Sequence, residues 1–258
     1  MTGPLFLTLT RLDHPRHHRD YNAWHQLDHL PENRVLPGVS WGDRWVRDAA
    51  CADASVVPDP QHREHQYAVA YGFRDPTAVA AWTELNQRAV WWGRRPELGW
   101  THRAPIGFFD PIKGYAAPRV LVAPEALPHR PHRGVHLTLS RLTEPGSAAA
   151  VDLLADLDRV RFPAALDVPG VAGGWSYRFT AGAHGMGDGA ADDSDRAGVL
   201  LRLLYIDDEV IATTRTLRDR VPSWTDEAPA GETVQFSSPM VTISPWEWDW
   251  FDGEPARG

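Results

Sequence analysis

Hydrophobic and polar positions along the chain follow the same order of patterns twice. Residues 5–12 read LFLTLTRL, in which leucines alternate with Phe6, Thr8 and Thr10. This period of two is typical of a β-strand with one aliphatic face. Residues 77–92 instead place apolar side chains at helical spacings, which predicts an amphipathic helix. Each half of the chain is predicted to contain strand, helix, strand, strand, helix and strand, in that order.

These patterns place the predicted elements at similar distances within each half. In the first half, strands are predicted at 5–12, 39–46, 66–73 and 106–112, and helices at 20–33 and 77–92. In the second half, strands are predicted at 135–142, 174–180, 199–206 and 234–243, and helices at 147–166 and 208–221. The proline-rich segment between the halves is expected to be an extended surface linker. The predicted units are a first repeat at 1–113, a linker at 114–134, a second repeat at 135–247 and a tail at 248–258.

Short stretches of sequence also return at a nearly constant offset. LTLTRL at 7–12 returns as LTLSRL at 137–142, an offset of 130. The Leu-Pro-Gly-Val turn that begins at Leu36 returns as Val-Pro-Gly-Val at Val168, an offset of 132. An offset that drifts by so few residues indicates a tandem duplication with small loop insertions.

The order of the elements predicts the α+β class. A βαββαβ unit forms a four-stranded antiparallel sheet with both helices on one face, the ferredoxin-like arrangement. Its other face must be buried, so the antiparallel sheets of the two tandem repeats are expected to pack face to face around a cavity. The polar positions of the first strands should face that cavity: Thr8, Thr10, His136, Thr138 and Ser140.

Composition excludes several classes of function. The net charge of -8 over 258 residues argues against a nucleic-acid partner, which a basic surface would recognise. Cys51 is the single cysteine, so neither an intrachain disulfide nor a cysteine zinc cluster is expected. No apolar run approaches the roughly 18 residues of a membrane span. We therefore expect a cytoplasmic protein without a membrane partner.

The largest difference between the halves lies in the motif WHQLDHLPE at 24–32. At the offset of 132, His25 aligns with Leu157 and His29 aligns with Arg161. Since only the first half keeps these histidines, the chemistry is expected there.

His29 is the principal candidate for proton transfer, with His25 as its accessory. Histidine exchanges a proton near neutral pH, and the carboxylate of Asp28 would fix its tautomer, although consecutive helical residues point about 100° apart. Pro31 lacks an N–H and disfavours helical geometry at Leu30, so the helix should loosen beside His29. A packing role for the two histidines remains the alternative.

The spacing of His25 and His29 is also that of two zinc ligands on a helix. The glutamate that would follow the first histidine in such a motif is replaced by Gln26, and no third ligand is marked. No metal is therefore predicted.

With these motifs the sequence resembles the dimeric α/β-barrel superfamily and, within it, the EthD-like branch. The matching positions are Tyr21, Trp24, Asp28, His29, Leu30, Pro31, Pro37, Gly38, Arg44 and Trp45. The second half keeps Pro163, Pro169 and Gly170 but lacks the acidic residue and the histidine. The resemblance implies decarboxylases, dehydratases, cyclases or cofactor-free monooxygenases.

The leading hypothesis is a cofactor-independent enzyme that uses His29 on a small aromatic or polyketide-like substrate. The chain contains neither a dinucleotide-binding GxGxxG nor a phosphate-binding GxxxxGK motif. The residues expected to bind the substrate are Trp24, Tyr21, Thr8, Thr10, Arg44, Tyr71, His102, His136 and Thr138. Tyr71 has an alternative structural role, shared with its expected counterpart Tyr205.

Two other functions stay open. The superfamily also contains haem enzymes of the chlorite dismutase and aldoxime dehydratase types, for which His136 or His184 would be the proximal ligand. The third possibility is a binding protein without catalysis. Because duplication already supplies the pairing of two sheets, either a monomer or a homodimer is expected.

Overall fold

The computed structural model describes residues 3–94, 98–183, 196–225 and 227–253, without the side chains of residues 105 and 106. Its strands are β1 (Leu5–Leu12), β2 (Val39–Val46), β3 (Tyr67–Phe73), β4 (Thr101–Ala116), β5 (Gly134–Leu142), β6 (Val171–Gly182), β7 (Val199–Ile206) and β8 (Glu232–Thr242). They form one closed barrel in the order β1-β3-β2-β8-β5-β7-β6-β4, and each neighbouring pair is antiparallel. The predicted mixed α and β composition with a large antiparallel sheet is therefore confirmed.

Helices cover the outside of the barrel. They are α1 (His18–Trp24), α2 (Leu30–Arg34), α3 (Ala49–Asp53), α4 (Pro76–Trp91), α5 (Ala148–Asp156), α6 (Phe162–Leu166), α7 (Val210–Arg220) and α8 (Pro222–Thr225). One π-helical turn, His25–His29, joins α1 to α2, and another, Leu157–Arg161, joins α5 to α6. In the described part of the chain, no helix combines the length and the apolar character that crossing a membrane requires.

The two halves meet at two unequal seams. The long seam pairs β4 with β6, from Gly107 opposite Gly182 to Ala116 opposite Gly173. The short seam pairs β2 with β8 through only two residue pairs, one of them Trp45 with Thr242. Closure by strand pairing leaves no free sheet edge, so the barrel is a continuous sheet and the two sheets are not stacked as separate layers.

The barrel interior is apolar, and this overturns one prediction. Leu5, Leu7 and Leu9 pack there against residues of the other half, such as Leu137 and Leu201. The polar positions expected in the interior lie instead on the outer face, beneath the helices: Thr8, Thr10, His136, Thr138 and Ser140. The interior is where the two halves meet away from water, so the aliphatic face lies inside.

Proline fixes the position of both π turns. The N–H of Leu30 donates to the carbonyl of His25, and the N–H of Phe162 donates to that of Leu157, each five residues back. The next residue in each half is a proline, which has no N–H with which to continue the helical bonds. The predicted loosening of the helix beside His29 is therefore confirmed as a π turn that both halves share.

The segment between the halves is not the extended surface linker that its prolines suggested. It forms short 3₁₀ turns at Pro118–Val120 and Pro124–His129, and Leu127 enters the barrel core with 1% of its surface exposed. The indole N–H of Trp175 donates to the carbonyl of Pro124 at 2.9 Å. The segment covers apolar surface that would otherwise meet water.

We predict that Leu127→Ala destabilises the protein by about 2–5 kcal/mol, because truncation of a buried leucine removes apolar contacts and leaves a cavity. Urea unfolding followed by circular dichroism measures the change. Leu121→Ala is the matched control in the same segment: Leu121 is 90% exposed, so the expected change is within about 0.5 kcal/mol. Equal effects of the two variants would show that Leu127 does not close the barrel.

Candidate functional site

A cavity of about 50 Å³ lies between the helices and the outer sheet face of the first half. Its walls carry the aromatic rings of Phe6, Tyr21, Trp24, Tyr71 and Trp82, and the polar side chains of Thr8, Thr10, His25, His29, Asn86 and Arg103. An adjoining groove of about 60 Å³ is lined by residues that include Glu32, Trp92 and Arg94. His29 and Asn86 line both spaces, so they form the boundary between the cavity and the groove.

The half-buried ring of His29 is held by its aromatic neighbours. It stacks on Trp24 with 4.7 Å between ring centroids and 20° between the planes. The ring of His25 meets it edge-on at 4.9 Å. Residues five apart point ~140° apart on an α-helix of 3.6 residues per turn, so Trp24 and His29 would diverge there. The wider π turn places both side chains on the same side of the helix, where their rings stack.

His25 is a neutral group in the cavity wall. Burial, followed by the charge of Arg44 and the neighbouring His29, lowers the pKa of His25 well below its usual range. Its Nδ1 atom and the hydroxyl of Tyr71 are both buried without a hydrogen-bond partner among the described residues. Both residues line the cavity, so these polar atoms are within reach of a ligand there.

Arg44, which was expected to bind the substrate, supports this wall and does not line the cavity. Its buried guanidinium donates to Asn22 Oδ1 at 2.9 Å and to Gln26 Oε1 at 3.2 Å. The same group lies over the ring of Tyr21, 5.2 Å from the centroid. Arg44 therefore fixes the helix that carries His25.

Two other predicted residues, Asp28 and His102, do not line the cavity. Asp28 is exposed and does not line the cavity, since the π turn carries it to the solvent side of the helix. His102 pairs with Asp13, at 2.7 Å between His102 Nε2 and Asp13 Oδ1. Successive residues of a strand point to opposite faces, and Arg103 reaches the cavity in place of His102.

His136 and Thr138 lie under the helices of the other half, so they do not share this cavity. The ring of His136 is 1% exposed, and its Nε2 lies 2.9 Å from Ser237 Oγ. Tyr205 is not the counterpart of Tyr71: Tyr71 is opposite Phe6 on the outer face, whereas Tyr205 is opposite Val135 and faces the barrel interior. The predicted alignment of Tyr205 with Tyr71 is off by one residue, and a shift of one residue along a strand turns a side chain to the other face of the sheet.

Sequence analysis missed Asn33, Trp82 and Arg103 as residues of the site. Asn33 lies four residues after His29, a spacing that brings two helical side chains together. Trp82 comes from α4 and Arg103 from β4, and no local pattern connects either with the histidine motif. In the described part of the chain, no group of three His, Cys, Asp or Glu side chains is arranged to hold a metal ion.

The matching place in the second half is filled by an ionic cluster. Arg161, at the position of His29, donates to Glu232 Oε2 at 2.8 Å, and Arg202 donates to Oε1 at 2.5 Å. Ser140 also donates to Oε1, at 2.6 Å. Burial alone would raise the pKa of Glu232, but the two arginines and these hydrogen bonds outweigh it and lower the pKa to about 2. The second half therefore has salt bridges where the first half has its cavity.

Comparison with known proteins identifies the fold. A proposed monooxygenase from Fusobacterium nucleatum subsp. nucleatum superposes with a TM-score of 0.53 at 9% identity, over 94% of this chain and 93% of that one. A proposed monooxygenase from Lactobacillus acidophilus gives 0.44 at 8% identity, over 93% and 99% of the two chains. A proposed chlorite dismutase gives 0.46 at 13% identity, over 97% and 98%.

At 9% identity, the similarity to the Fusobacterium protein shows the shared fold and nothing about chemistry. No protein family model matches the chain, and no curated protein matches it in sequence. The assignment to the EthD-like branch stays a prediction.

We predict that Glu232→Gln destabilises the protein by about 3–5 kcal/mol at pH 7, because it leaves two buried arginines without their anion. The depressed pKa of Glu232 adds stability that is fully present above the unfolded value of about 4.3 and is lost as pH falls towards about 2. The difference between the wild type and the variant should therefore shrink over that range. Urea unfolding at several pH values measures it.

Glu125→Gln, at an exposed position, is the control and should change stability little at any pH. A difference between the wild type and Glu232→Gln that stays constant from pH 7 to pH 3 would contradict the ionic account of the cluster.

Proposed function

We propose that the chain is a cofactor-independent enzyme of the dimeric α/β-barrel superfamily that uses His29 to transfer a proton on a small molecule. The observation that carries the proposal is the position of the His29 ring and the contacts that hold it. Its ring lies at the boundary of the cavity and the groove, and Trp24, His25 and Asn33 hold it there. A fixed, half-buried imidazole at the wall of a cavity suits general acid–base catalysis.

The cavity wall suits a planar substrate with an acidic hydrogen. Five aromatic side chains line the wall, but a cavity of about 50 Å³ is too small to enclose a whole ring, so an aromatic or polyketide-like substrate would extend past His29 into the adjoining groove. When His29 removes a proton from carbon or oxygen next to a carbonyl group, the negative charge spreads over the substrate. Arg103 brings a cation to the same wall, and His25 and Tyr71 bring unpaired polar atoms. Decarboxylation, dehydration, cyclisation and cofactor-free oxygenation all begin from such an anion or proceed through one.

The proposal includes the origin of the chain by tandem duplication and its place in the EthD-like branch. Both halves have the same strand order, β4-β1-β3-β2 and β8-β5-β7-β6. Both also have a π turn followed by proline, at the offset of 132. The motif residues of the EthD-like resemblance that line the cavity are Tyr21, Trp24 and His29. The second half would then be a former site that salt bridges now fill.

Haem, the alternative cofactor, does not fit the residues that were expected to bind it. The ring of His136 is enclosed by protein, and its Nε2 is engaged with Ser237. Burial and the charges of Arg218 and Arg202 lower the pKa of His136 to about 3. His184, the other expected ligand, lies outside the described residues. We therefore propose that the enzyme works without haem.

We expect purified protein to show no Soret band after haem is added and unbound haem is removed by gel filtration. Absorption from 380 to 430 nm, roughly the region of the haem band, measures this, with a haem-binding globin as the positive control. A Soret band at one haem per chain would overturn the cofactor-free assignment.

We predict that His29→Ala lowers turnover about 10²–10⁴-fold, the usual contribution of a general acid or base. Consumption of hydroxylated aromatic ketones, followed by liquid chromatography and mass spectrometry, identifies a substrate for the wild type. The variant is then compared on that substrate. Circular dichroism and the melting temperature establish that the variant folds.

His129→Ala is the matched control, because His129 is exposed and belongs to the connecting segment. It should retain wild-type turnover. Full activity in folded His29→Ala would remove His29 from the mechanism.

A further inference from the structure

We infer that Asn33 is a positioning residue that keeps the imidazole of His29 neutral and therefore able to accept a proton. The inference rests on the proposed function, because it explains how the resting state of His29 is set. Asn33 has no contact with the substrate cavity in its own right. It acts through the ring of His29.

The orientation of the Asn33 amide is fixed by two donors on α4. The indole N–H of Trp82 lies 2.6 Å from Asn33 Oδ1, and Asn86 Nδ2 lies 3.2 Å from the same atom. An indole nitrogen can only donate a hydrogen bond, so the amide atom that faces it must be the oxygen. The NH₂ group of Asn33 therefore points towards His29.

The NH₂ group of Asn33 lies against two parts of His29, its carbonyl oxygen and its ring. Asn33 Nδ2 lies 2.7 Å from the His29 carbonyl oxygen. It also lies 3.2 Å from the ring atom Nδ1 and 3.4 Å from Nε2. The two ring distances are nearly equal, so Nδ2 is not in line with the lone pair of either ring nitrogen and lies over the face of the ring. The positive end of an N–H at that face is attracted by a neutral ring and repelled by a protonated one, so the contact with Asn33 favours the neutral ring.

Burial strengthens this preference. Asn33 is 2% exposed, so water does not readily take its place if the ring becomes charged. An unpaired buried donor costs about 1–3 kcal/mol, and this cost falls on the protonated state of His29. A histidine that is to act as a base must be neutral before the substrate arrives, and the Asn33 contact favours that state.

In the described part of the chain, four ionisable side chains line the same cavity and groove as the ring of His29. His25 and Arg103 face it from the cavity, and burial keeps His25 neutral. Glu32 and Arg94 face it from the groove, where they form an ion pair with each other. The donor from Asn33 acts in addition to these four groups.

The second half offers an internal comparison. At the offset of 132, Asn33 corresponds to Ala165 and His29 corresponds to Arg161. Ala165 has no side-chain donor, and Arg161 has no neutral imidazole to hold. The amide and the imidazole are thus present together in one half and absent together in the other, as expected if Asn33 serves His29 rather than the fold.

The test is the titration of His29 by nitrogen-15 and proton NMR in the full chain, which requires no substrate. Asn33→Asp replaces the NH₂ donor by a carboxylate oxygen, which stabilises the protonated ring. We expect the His29 midpoint to rise by about 1–3 pH units relative to the wild type, the usual effect of an adjacent opposite charge. The exposed His129 should titrate unchanged. An unchanged His29 midpoint in folded Asn33→Asp would overturn the inference.

Trp82→Phe is a second variant that keeps Asn33 itself and covers the case in which Asn33→Asp does not fold. Phenylalanine removes the indole donor, so the amide can turn its oxygen towards the ring. We expect a smaller rise of the His29 midpoint, and no rise would count against the fixed amide orientation.

Activity measurements separate this inference from the proposed function. If both hold, the acid limb of the kcat/KM profile moves to higher pH in Asn33→Asp by the same amount as the NMR midpoint. If His29→Ala is fully active while the NMR midpoint still rises in Asn33→Asp, the proposed function fails and the role of Asn33 in the protonation of His29 stands. If His29→Ala is inactive and the midpoint does not move, the proposed function stands and the inference about Asn33 fails.

Discussion

The missing N–H of Pro31 is the constraint on which the candidate site depends. The helix ahead of it closes a wider turn, in which Leu30 donates to the carbonyl of His25. That turn stacks His29 on Trp24 and leaves Asp28 in solvent. Since Pro163 follows the same turn in the second half, the geometry is part of the scaffold. The two halves differ in the side chains that this shared turn carries.

The order and the approximate bounds of the elements could be predicted from hydrophobic periodicity alone. Periodicity separates the two faces of a strand but does not say which face lies inside a closed barrel. Thr8 and Thr10 were therefore placed on the wrong side, because the interior was pictured as a cavity with polar walls. The barrel closes tightly enough that Leu7 and Leu137 belong to one apolar core, and the space for a ligand arises beneath the helices instead.

Seven predicted residues of the site do meet at one cavity, and four of them lie on the helical segment that carries the motif. The seven are Thr8, Thr10, Tyr21, Trp24, His25, His29 and Tyr71. Local sequence could not supply Trp82 or Arg103, because their relevance depends on how α4 and β4 pack against the motif, whereas Asn33 was marked by its spacing of four residues from His29. The side of the sheet on which Tyr205 lies could not be predicted from local sequence either. A shift of one residue in strand register separates it from Tyr71, and no pattern along the chain records that shift.

The two halves show how one backbone can favour either stability or binding. In the second half, the buried carboxylate of Glu232 is paired with both Arg161 and Arg202. In the first half, His25 Nδ1 and the Tyr71 hydroxyl are buried without partners in the described part of the chain. Each such atom costs about 1–3 kcal/mol of stability. A ligand that pairs with both atoms would recover that free energy, which would favour the binding of a polar molecule over an apolar one.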